Sequence, residues 1–328
     1  MKRLLLRAAL ALLALAVLLG AWAAVQWRRH PAIEPYLEQA MPQAFPIPGK
    51  LTIRHAGVST LVFDDGETAW MTDAFLSRPP LKAMLGRIAP DPAIVERELA
   101  RLYIKQLAAV IPLHTHYDHA LDSALVAERT GALLVGSASA MQLGRGHGLP
   151  ADRLREVKSG DTLQLGKFKL TFIASRHSPT WLDDGHTLET IDAPLTLPAR
   201  ATAWRAGTIW SLLVEHGEQR ILVQASAGFE PGALAGRNAQ TVLLGVGTLG
   251  KKDPAYREDY WREVVQAVGA KRVIPIHWDN FWLPLDQPPQ AMPLLLDDLD
   301  VTMADLIRLG NRDGVQVRMA PPLLPFRP

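Results

Sequence analysis

Hydrophobic positions divide the chain into three unequal parts. An unbroken apolar run covers residues 8–25, and a proline-rich stretch follows over residues 31–49. From Lys50 onwards, short apolar runs alternate with stretches in which apolar residues recur every three or four positions. Such periods are typical of strands and amphipathic helices. The sequence therefore predicts an N-terminal signal anchor or signal peptide (residues 1–30), a stiff extended linker (31–49) and one folded domain (50–328).

The domain pattern predicts a mixture of strands and helices. Strands are expected at residues 51–54, 59–63, 68–72, 107–113, 162–165, 168–174, 209–215, 220–224, 241–246 and 272–276. Helices are expected from an Asp91-Pro92 cap to residue 106, over residues 121–129 and 256–268, and briefly near 303–309. The rest of the tail from Pro288 carries no clear pattern. This order fits an α+β fold with two sheets packed face to face and helices outside.

The N-terminal apolar run has basic residues on both sides. Lys2, Arg3 and Arg7 precede it, and Arg28 and Arg29 follow it. Its length is short for a membrane span and long for a signal-peptide core. An uncleaved anchor is favoured. Cleavage as a signal peptide at the small-x-small sequence Ala21-Trp22-Ala23 stays open. In both cases the leading basic cluster predicts a cytoplasmic amino terminus. The domain is then exported: it faces the periplasm from the inner membrane, or is periplasmic or secreted after cleavage.

Composition narrows the classes of partner. The chain has 35 basic and 33 acidic side chains, a formal net charge of +2, and no basic block inside the domain. Nucleic acid is therefore not an expected partner. Cysteine is absent, which excludes disulfides, thiolate metal sites and a cysteine nucleophile, and which suits an oxidising compartment. Nothing in the composition indicates the oligomeric state.

The strongest chemical signal is the sequence Leu-His-Thr-His-Tyr-Asp-His at residues 113–119. It directly follows the apolar run 107–113, which reads as a buried strand. Three imidazoles and a carboxylate therefore fall in one loop at a strand end. These are the donors that zinc and similar metals prefer. The candidate metal ligands in this loop are His114, His116, Asp118 and His119.

This motif resembles the His-x-His-x-Asp-His hallmark of the metallo-β-lactamase-fold superfamily of hydrolases. The resemblance covers about residues 50–285 and implies an αββα four-layer sandwich. It also implies a later histidine for each of two metal sites, and His177 and His277, which both follow apolar strand-like runs, match these positions. The implied first site is His114, His116 and His177. The implied second site is Asp118, His119 and His277.

Three further positions relate to the same resemblance. Ser226 stands where two-metal members usually have a bridging Asp, so the second metal is expected to be weaker, differently coordinated or absent. The branch that resembles ascorbate-6-phosphate lactonase and N-acylphosphatidylethanolamine phospholipase D commonly reads Gly-His-Ala/Ser near its start. This chain reads Gly57-Val58-Ser59 there and lacks that histidine. Asp73 matches the strand-end Asp of the branch, and its expected role is to orient metal ligands.

The expected function is a metal-dependent hydrolase that uses a metal-activated water on an ester, lactone or phosphodiester, with Asp118 as the catalytic carboxylate. One or two Zn²⁺ ions are expected, with Mn²⁺ or iron as alternatives. An aromatic pocket on a membrane-tethered enzyme favours a lipid phosphodiester. The alternatives are a lactonase or phosphoester hydrolase of a small soluble metabolite, or a catalytically degenerate metal-binding protein.

Two segments are candidates for the pocket wall. Residues 179–207 are long for a connection and serve either as a lid or as a packed surface excursion; they include Trp181, Asp183, Asp184, His186 and Trp204. His186 is not an expected ligand. The aromatic residues after His277, in the stretch 278–282, belong either to the pocket or to the core. Three further histidines, His55, His147 and His216, are expected to be solvated or structural.

Overall fold

The computed structural model describes residues 2–179, 185 and 189–328 of the chain. Four residues of the predicted lid, Trp181, Asp183, Asp184 and His186, lie outside the described residues.

The described chain folds into strands and helices that alternate along most of its length. The strands are β1 (Thr52–His55), β2 (Leu61–Asp64), β3 (Ala69–Thr72), β4 (Ala109–Ile111), β5 (Leu133–Gly136), β6 (Leu154–Glu156), β7 (Thr162–Leu165), β8 (Phe168–Ser175), β9 (Ile209–His216), β10 (Gln219–Gln224), β11 (Thr241–Gly245), β12 (Arg272–Ile276), β13 (Gln316–Val317) and β14 (Pro325–Phe326). The helices are α1 (Lys2–Arg28), α2 (Glu34–Leu37), α3 (Pro92–Arg101), α4 (Tyr117–Ala120), α5 (Ser123–Thr130), α6 (Ala138–His147), α7 (Pro254–Tyr260), which continues as a π-helix over Trp261–Gln266, and α8 (Leu299–Asp313).

The strands form two seven-stranded mixed sheets. The first has the order β14-β1-β2-β3-β4-β5-β6, and the second has the order β13-β12-β11-β10-β9-β8-β7. In the first sheet β3 to β6 run parallel. In the second, β10 to β13 run parallel, and β8 points the same way because β9 is antiparallel to both of its neighbours. The carboxyl ends of β8, β10, β11 and β12 therefore lie at one edge.

Alternation along the strands separates the hydrophobic residues into layers. On β9, Leu212 and Val214 belong to the core between the sheets, whereas Leu213 belongs to the core under α7 and α8. A third core lies between the first sheet and helices α3, α5 and α6. Because side chains on a strand point alternately to opposite faces, each sheet is covered on both sides. The predicted αββα sandwich is confirmed.

Most predicted elements are present, with shifted ends. The Asp91 side chain caps α3 by accepting from Ala93 and Ile94, but this helix ends at Arg101 rather than at residue 106. Strand β2 begins at Leu61 rather than at residue 59 because Gly57 and Val58 form a turn with positive φ. Strands β5 and β6 and helix α6 were not predicted.

The tail is more ordered than its pattern indicates. The predicted short helix near 303–309 is the centre of the longer α8, and β13 and β14 then complete the edges of the two sheets. The proline-rich stretch 31–49 includes α2 and lies against this tail. There, Met41 N–H donates to the Met319 carbonyl and Ala44 N–H to the Pro325 carbonyl. Buried contact of Ile33, Met41 and Ala44 with the domain replaces the extended linker of the prediction.

Helix α1 is the one helix in the described chain whose length and composition allow it to cross a membrane. Its stretch Arg3–Arg28 has a mean hydropathy of 2.5 and is not buried against the domain.

Substituting Phe172→Ala tests the packing between the sheets. Phe172 is fully buried in the central core and contacts the Trp210 ring edge-on at 6.1 Å between centroids. Because the surrounding side chains cannot fill the cavity left by the lost ring, we expect the free energy of unfolding to fall by about 3–5 kcal/mol. Urea unfolding in mild detergent measures it. As a control, Glu218→Ala in an exposed turn should change stability by less than about 0.5 kcal/mol. Equal effects of both substitutions would contradict the packing described.

Candidate metal centre

Candidate ligands from both sheets meet where strands end. The sequence His114–His119 follows β4, and Asp73 follows the neighbouring β3. From the second sheet, His177, Ser226 and His277 lie one or two residues past the ends of β8, β10 and β12. A strand end can present a polar side chain to the sheet edge while its strand stays in the apolar core.

The structure brings together the six predicted metal ligands as two groups of three. In the first group, one nitrogen from each of His114, His116 and His177 lies within 4.8 Å of the others. In the second, one donor atom from each of Asp118, His119 and His277 meets the same limit. The two groups adjoin, since the His114 and His119 rings lie 3.8 Å apart between centroids. Residues that are 158 positions apart in the chain, His119 and His277, approach to 3.1 Å between their Nε2 atoms.

His114 indicates most directly that these groups fit a cation. Its side chain is fully buried, and neither ring nitrogen has a hydrogen-bond partner among the described residues. A buried polar group without a partner costs about 1–3 kcal/mol. A metal ion held by His114, His116 and His177 would accept the free lone pair and remove that cost.

Asp73 holds His119 in a defined orientation. Asp73 Oδ2 accepts a hydrogen bond from His119 Nδ1 at 2.9 Å, and Oδ1 accepts one from Leu113 N–H at 2.6 Å. With Nδ1 donating, Nε2 of His119 keeps its lone pair and faces His277 and Asp118. Asp73 thus contacts one of the candidate ligands, and its role in orienting that ligand stays a prediction.

Ser226 has a contact that the sequence did not reveal. Its hydroxyl oxygen accepts a hydrogen bond from Ser178 N–H at 2.9 Å, and the Ser178 carbonyl faces His177 Nδ1 at 2.8 Å. The hydroxyl therefore fixes the turn that leaves Nε2 of His177 free to bind an ion. Ser226 lines the same cavity as His177 and His277, but it contributes no charge there.

Burial keeps most of these imidazoles neutral. It lowers the pKa of His119 and of His177 to about 3 and holds the pKa of His114 well below its usual value. Burial also lowers the pKa of His277, but its hydrogen bond with Asp118 and the charge of that carboxylate outweigh this, so the pKa is raised. Neutral imidazole is the form that binds a metal, which adds to the fit.

The two carboxyl groups behave differently. Burial raises the pKa of Asp118, but His119 and His277 outweigh it and hold the pKa well below the usual value. Burial raises the pKa of Asp73 well above its usual value, although the Leu113 N–H opposes this. A divalent cation on His119 would oppose this shift and favour the ionised form of Asp73.

A cavity of about 200 Å³ opens onto the candidate ligands. Its polar side is formed by His116, Asp118, His177, Ser178, Ser226, Thr248, His277 and Asp297. Its remaining wall is formed by Ala227, Gly247, Phe281, Met292 and Leu296. The structure thus places Phe281 in the pocket wall, one of the two alternatives for the aromatic stretch 278–282, whereas Trp278 is buried in the core under α8.

A buried ion pair behind His277 was missed by the sequence reasoning. Asp279 pairs with Arg78, and its Oδ1 accepts the Val58 N–H at 2.7 Å. The Val58 carbonyl in turn accepts the His277 N–H at 2.7 Å. Val58 replaces the branch's histidine, at a φ of 47° that β-branched residues rarely adopt. Position 58 lacks the histidine of that branch, but its backbone carbonyl holds the His277 backbone in place.

Gly57 permits this arrangement. A Cβ atom at this position would come within 2.7 Å of both the Arg78 guanidinium and the Asp279 carboxylate. Arg78 and Asp279 lie 201 positions apart in the chain. This glycine and its two charged neighbours therefore give no recognisable signal in a single sequence.

The other predicted residues lie away from the six ligands or support the core. His55 is buried, with Nε2 2.9 Å from the Val58 carbonyl, and His147 pairs with Glu128. His216 ends β9, rather than lying in the turn, and contacts buried Asp65 at 2.9 Å. His55 and His216 are therefore buried structural residues, and His147 lies in a surface pair. Trp204, the described aromatic residue of the predicted lid, is buried in a cluster of apolar residues.

Comparison with known proteins agrees with this architecture. The family model described as the β-lactamase superfamily domain matches residues 71–278, more than half of the chain. A UPF0173 metal-dependent hydrolase of Myxococcus xanthus is 25% identical over 285 residues, which cover 85% of this chain and 89% of that protein. One of Methanopyrus kandleri is 23% identical over 240 residues, or 72% and 87% of the two chains.

Among solved structures, the diiron β-hydroxylase CmlA of Streptomyces venezuelae has a TM-score of 0.53 and 16% identity. The match covers 87% of this chain and 55% of CmlA, and it shows a shared fold. The family match includes the motif 113–119 and ends just past His277, and the fold and the six gathered donors agree with it. The chain therefore belongs to the metallo-β-lactamase-fold superfamily.

Proposed function

We propose that this metal-dependent hydrolase cleaves an ester, lactone or phosphodiester bond in the cavity beside Asp118. The observation that carries the proposal is the pair of donor groups, each with three ligand atoms within 4.8 Å, of which two members each line the wall of one cavity. The names of the relatives from Myxococcus xanthus and Methanopyrus kandleri support metal-dependent hydrolysis.

His114, His116 and His177 would hold the first ion, and Asp118, His119 and His277 the second. A zinc-like ion supplies water with a pKa near 7 instead of about 16, and it polarises the carbonyl or phosphoryl oxygen under attack. Zn²⁺ is the proposed metal. Mn²⁺ and iron suit the same histidine and carboxylate donors, and CmlA is an example of this fold that holds two irons.

Asp118 is the proposed catalytic carboxylate. It stays ionised because His119 and His277 lie 3.5 and 3.4 Å from its Oδ2, and it borders the cavity. An ionised oxygen there accepts a hydrogen bond from the attacking water and orients it toward the substrate. Asp73 keeps the Nε2 of His119 directed into the site, and Phe281 limits the access of bulk water.

We further propose that α1 stays attached as a membrane anchor, with the domain on the exported side. The apolar stretch Arg3–Arg28 and the basic residues before it support this topology. The substrate is then a lipid ester or phosphodiester, for which the apolar wall of the cavity is suited. A small soluble metabolite is the alternative substrate.

Metal removal tests the proposal directly. Exhaustive chelation should abolish turnover of a panel of esters, lactones and phosphodiesters, and added Zn²⁺, Mn²⁺ or Fe²⁺ should restore it. His116→Ala should lower the metal content of protein purified without added metal, because the first site loses one of its three donors. Elemental analysis and initial rates are the measurements.

A second histidine provides the matched control. His147 pairs with Glu128 at 3.1 Å, away from the six donors, so His147→Ala should leave metal content and turnover unchanged. Activity that survives both chelation and His116→Ala would reject the proposed mechanism.

Ser226→Asp tests how many ions bind. An Asp at this position adds a negative charge to the cavity while its oxygen can still accept the Ser178 N–H. We expect the second ion to bind about 10–100-fold more tightly, as elemental analysis at limiting metal would report. Ser226→Ala separates charge from positioning: it removes the acceptor and should weaken the His177 site. New activity found only in Ser226→Asp would support a degenerate metal-binding protein instead.

Acyl-chain length separates a lipid from a soluble substrate. For detergent-solubilised protein and esters that differ only in chain length, kcat/KM should rise about fourfold per added methylene until the apolar wall is covered, since each buried methylene contributes about 0.8 kcal/mol. A flat profile would favour the soluble metabolite.

A further inference from the structure

The end of α1 is hydrogen-bonded to the segment that walls the candidate metal site. Leu294 N–H donates to the Arg29 carbonyl at 2.8 Å, and Leu295 N–H donates to the Gln26 carbonyl at 3.3 Å. Backbone hydrogen bonds do not depend on flexible side chains. The final turn of α1 and residues 294–295 therefore keep a defined relative position.

Two side-chain contacts reinforce this junction. His30 Nδ1 lies 2.8 Å from the Ala291 carbonyl oxygen. The rings of Trp27 and Trp282 stack with centroids 6.2 Å apart and planes at 26°. Trp282 Nε1 also donates to the Tyr117 hydroxyl at 3.3 Å, one residue before Asp118. The junction thus reaches from α1 to the motif itself.

The same two segments form the apolar wall of the cavity. Phe281 precedes Trp282, and Met292 and Leu296 flank the hydrogen-bonded residues 294–295. Consecutive Cα atoms are 3.8 Å apart, so this wall begins within about 8 Å along the chain from the contact with α1. The donor groups lie across the same cavity.

Helix α1 fits a bilayer rather than a groove on another protein. Large apolar residues at consecutive positions, such as Leu4, Leu5 and Leu6, are exposed, so apolar side chains surround the helix instead of forming one stripe. The uncharged run 8–25 is about 27 Å long at 1.5 Å per residue, close to the bilayer's hydrocarbon thickness. Trp27 and Arg28 then fall at the headgroup level, where aromatic and basic residues are favoured.

We propose that the metal-site cavity opens at the bilayer surface and takes an amphiphilic substrate directly from the membrane. The acyl chain lies against Phe281, Met292 and Leu296, and the scissile ester or phosphodiester faces Asp118. This proposal rests on the hydrolase function for its chemistry, but its geometric part, a cavity wall held at headgroup depth, rests on the α1 junction alone.

Site-directed labelling tests the geometry without turnover. Because the chain has no cysteine, Gln290→Cys and Glu218→Cys each give one attachment site for a nitroxide in the full-length protein. Both residues are exposed; Gln290 lies beside His30, and Glu218 lies in the turn before β10, at the end of that strand away from Ser226. In phosphatidylcholine–phosphatidylglycerol vesicles, oxygen and water-soluble nickel accessibilities should place the Gln290 label in the headgroup region and the Glu218 label in water. Equal exposure of both labels to nickel, or a chain that has lost residues 1–23 by intact mass, would overturn the proposal.

A linker insertion tests the consequence for substrate. Twelve Gly/Ser residues between Val25 and Gln26 leave residues 26–30 on the domain but let it move about 19 Å from the span. Turnover of a long-chain ester in vesicles should fall about tenfold, whereas turnover of its short-chain soluble analogue should not change. Equal rates on the vesicle ester with and without the insertion would overturn membrane access. If native protein hydrolysed neither ester, the hydrolase function would fail, and the label depths would still decide the geometry.

Discussion

The structure depends on the crowding of six metal-binding donors into one buried edge. Imidazoles that are mostly neutral and an ionised carboxylate form two groups whose donor atoms lie within 4.8 Å of one another, and His114 is buried with neither nitrogen paired among the described residues. Such a cluster is costly by itself, because polar groups lose water without gaining partners. A divalent cation reverses this cost, since each lone pair and negative charge then faces positive charge. The arrangement is thus understandable as an ion cage whose ligands are already in place.

The fold makes that crowding possible by bringing strand ends together. Each sheet has one face in the central core and the other under helices, so its central strands are largely buried and present their ends at the sheet edge. β4 delivers the motif, while β8, β10 and β12 deliver His177, Ser226 and His277. A layer of supporting contacts then orients the ligands: Asp73 on His119, Ser226 on the His177 turn, and the Arg78–Asp279 pair on His277 through Val58. Rigid placement of this kind limits the reorganisation that a reaction would require.

The N-terminal segment is part of this architecture rather than an appendage. Residues 31–49 pack against the C-terminal tail, and residues 26–30 contact the cavity wall. The N-terminal segment and the C-terminal tail, which are far apart in sequence, therefore meet at the edge of the first sheet, because β14 pairs with β1 and places the tail beside the start of the domain. The apolar helix α1 and the wall of the candidate metal-site cavity share one set of contacts in this arrangement.

The sequence by itself determined most of the strands in their order along the chain, and the motif with its four candidate donors. Those features are local: hydrophobic alternation reports a strand, and ligand spacing reports a metal loop. The αββα sandwich and the positions of His177, His277, Asp73 and Ser226 were also identified in sequence, through a resemblance that assigns positions. Tertiary structure alone decided the α1 junction, the tail strands, and the network of Arg78, Asp279 and Val58. Apart from β13, which pairs with β12, these depend on pairs of ordinary residues separated by more than 200 positions, and no local pattern encodes which of them meet once the chain collapses.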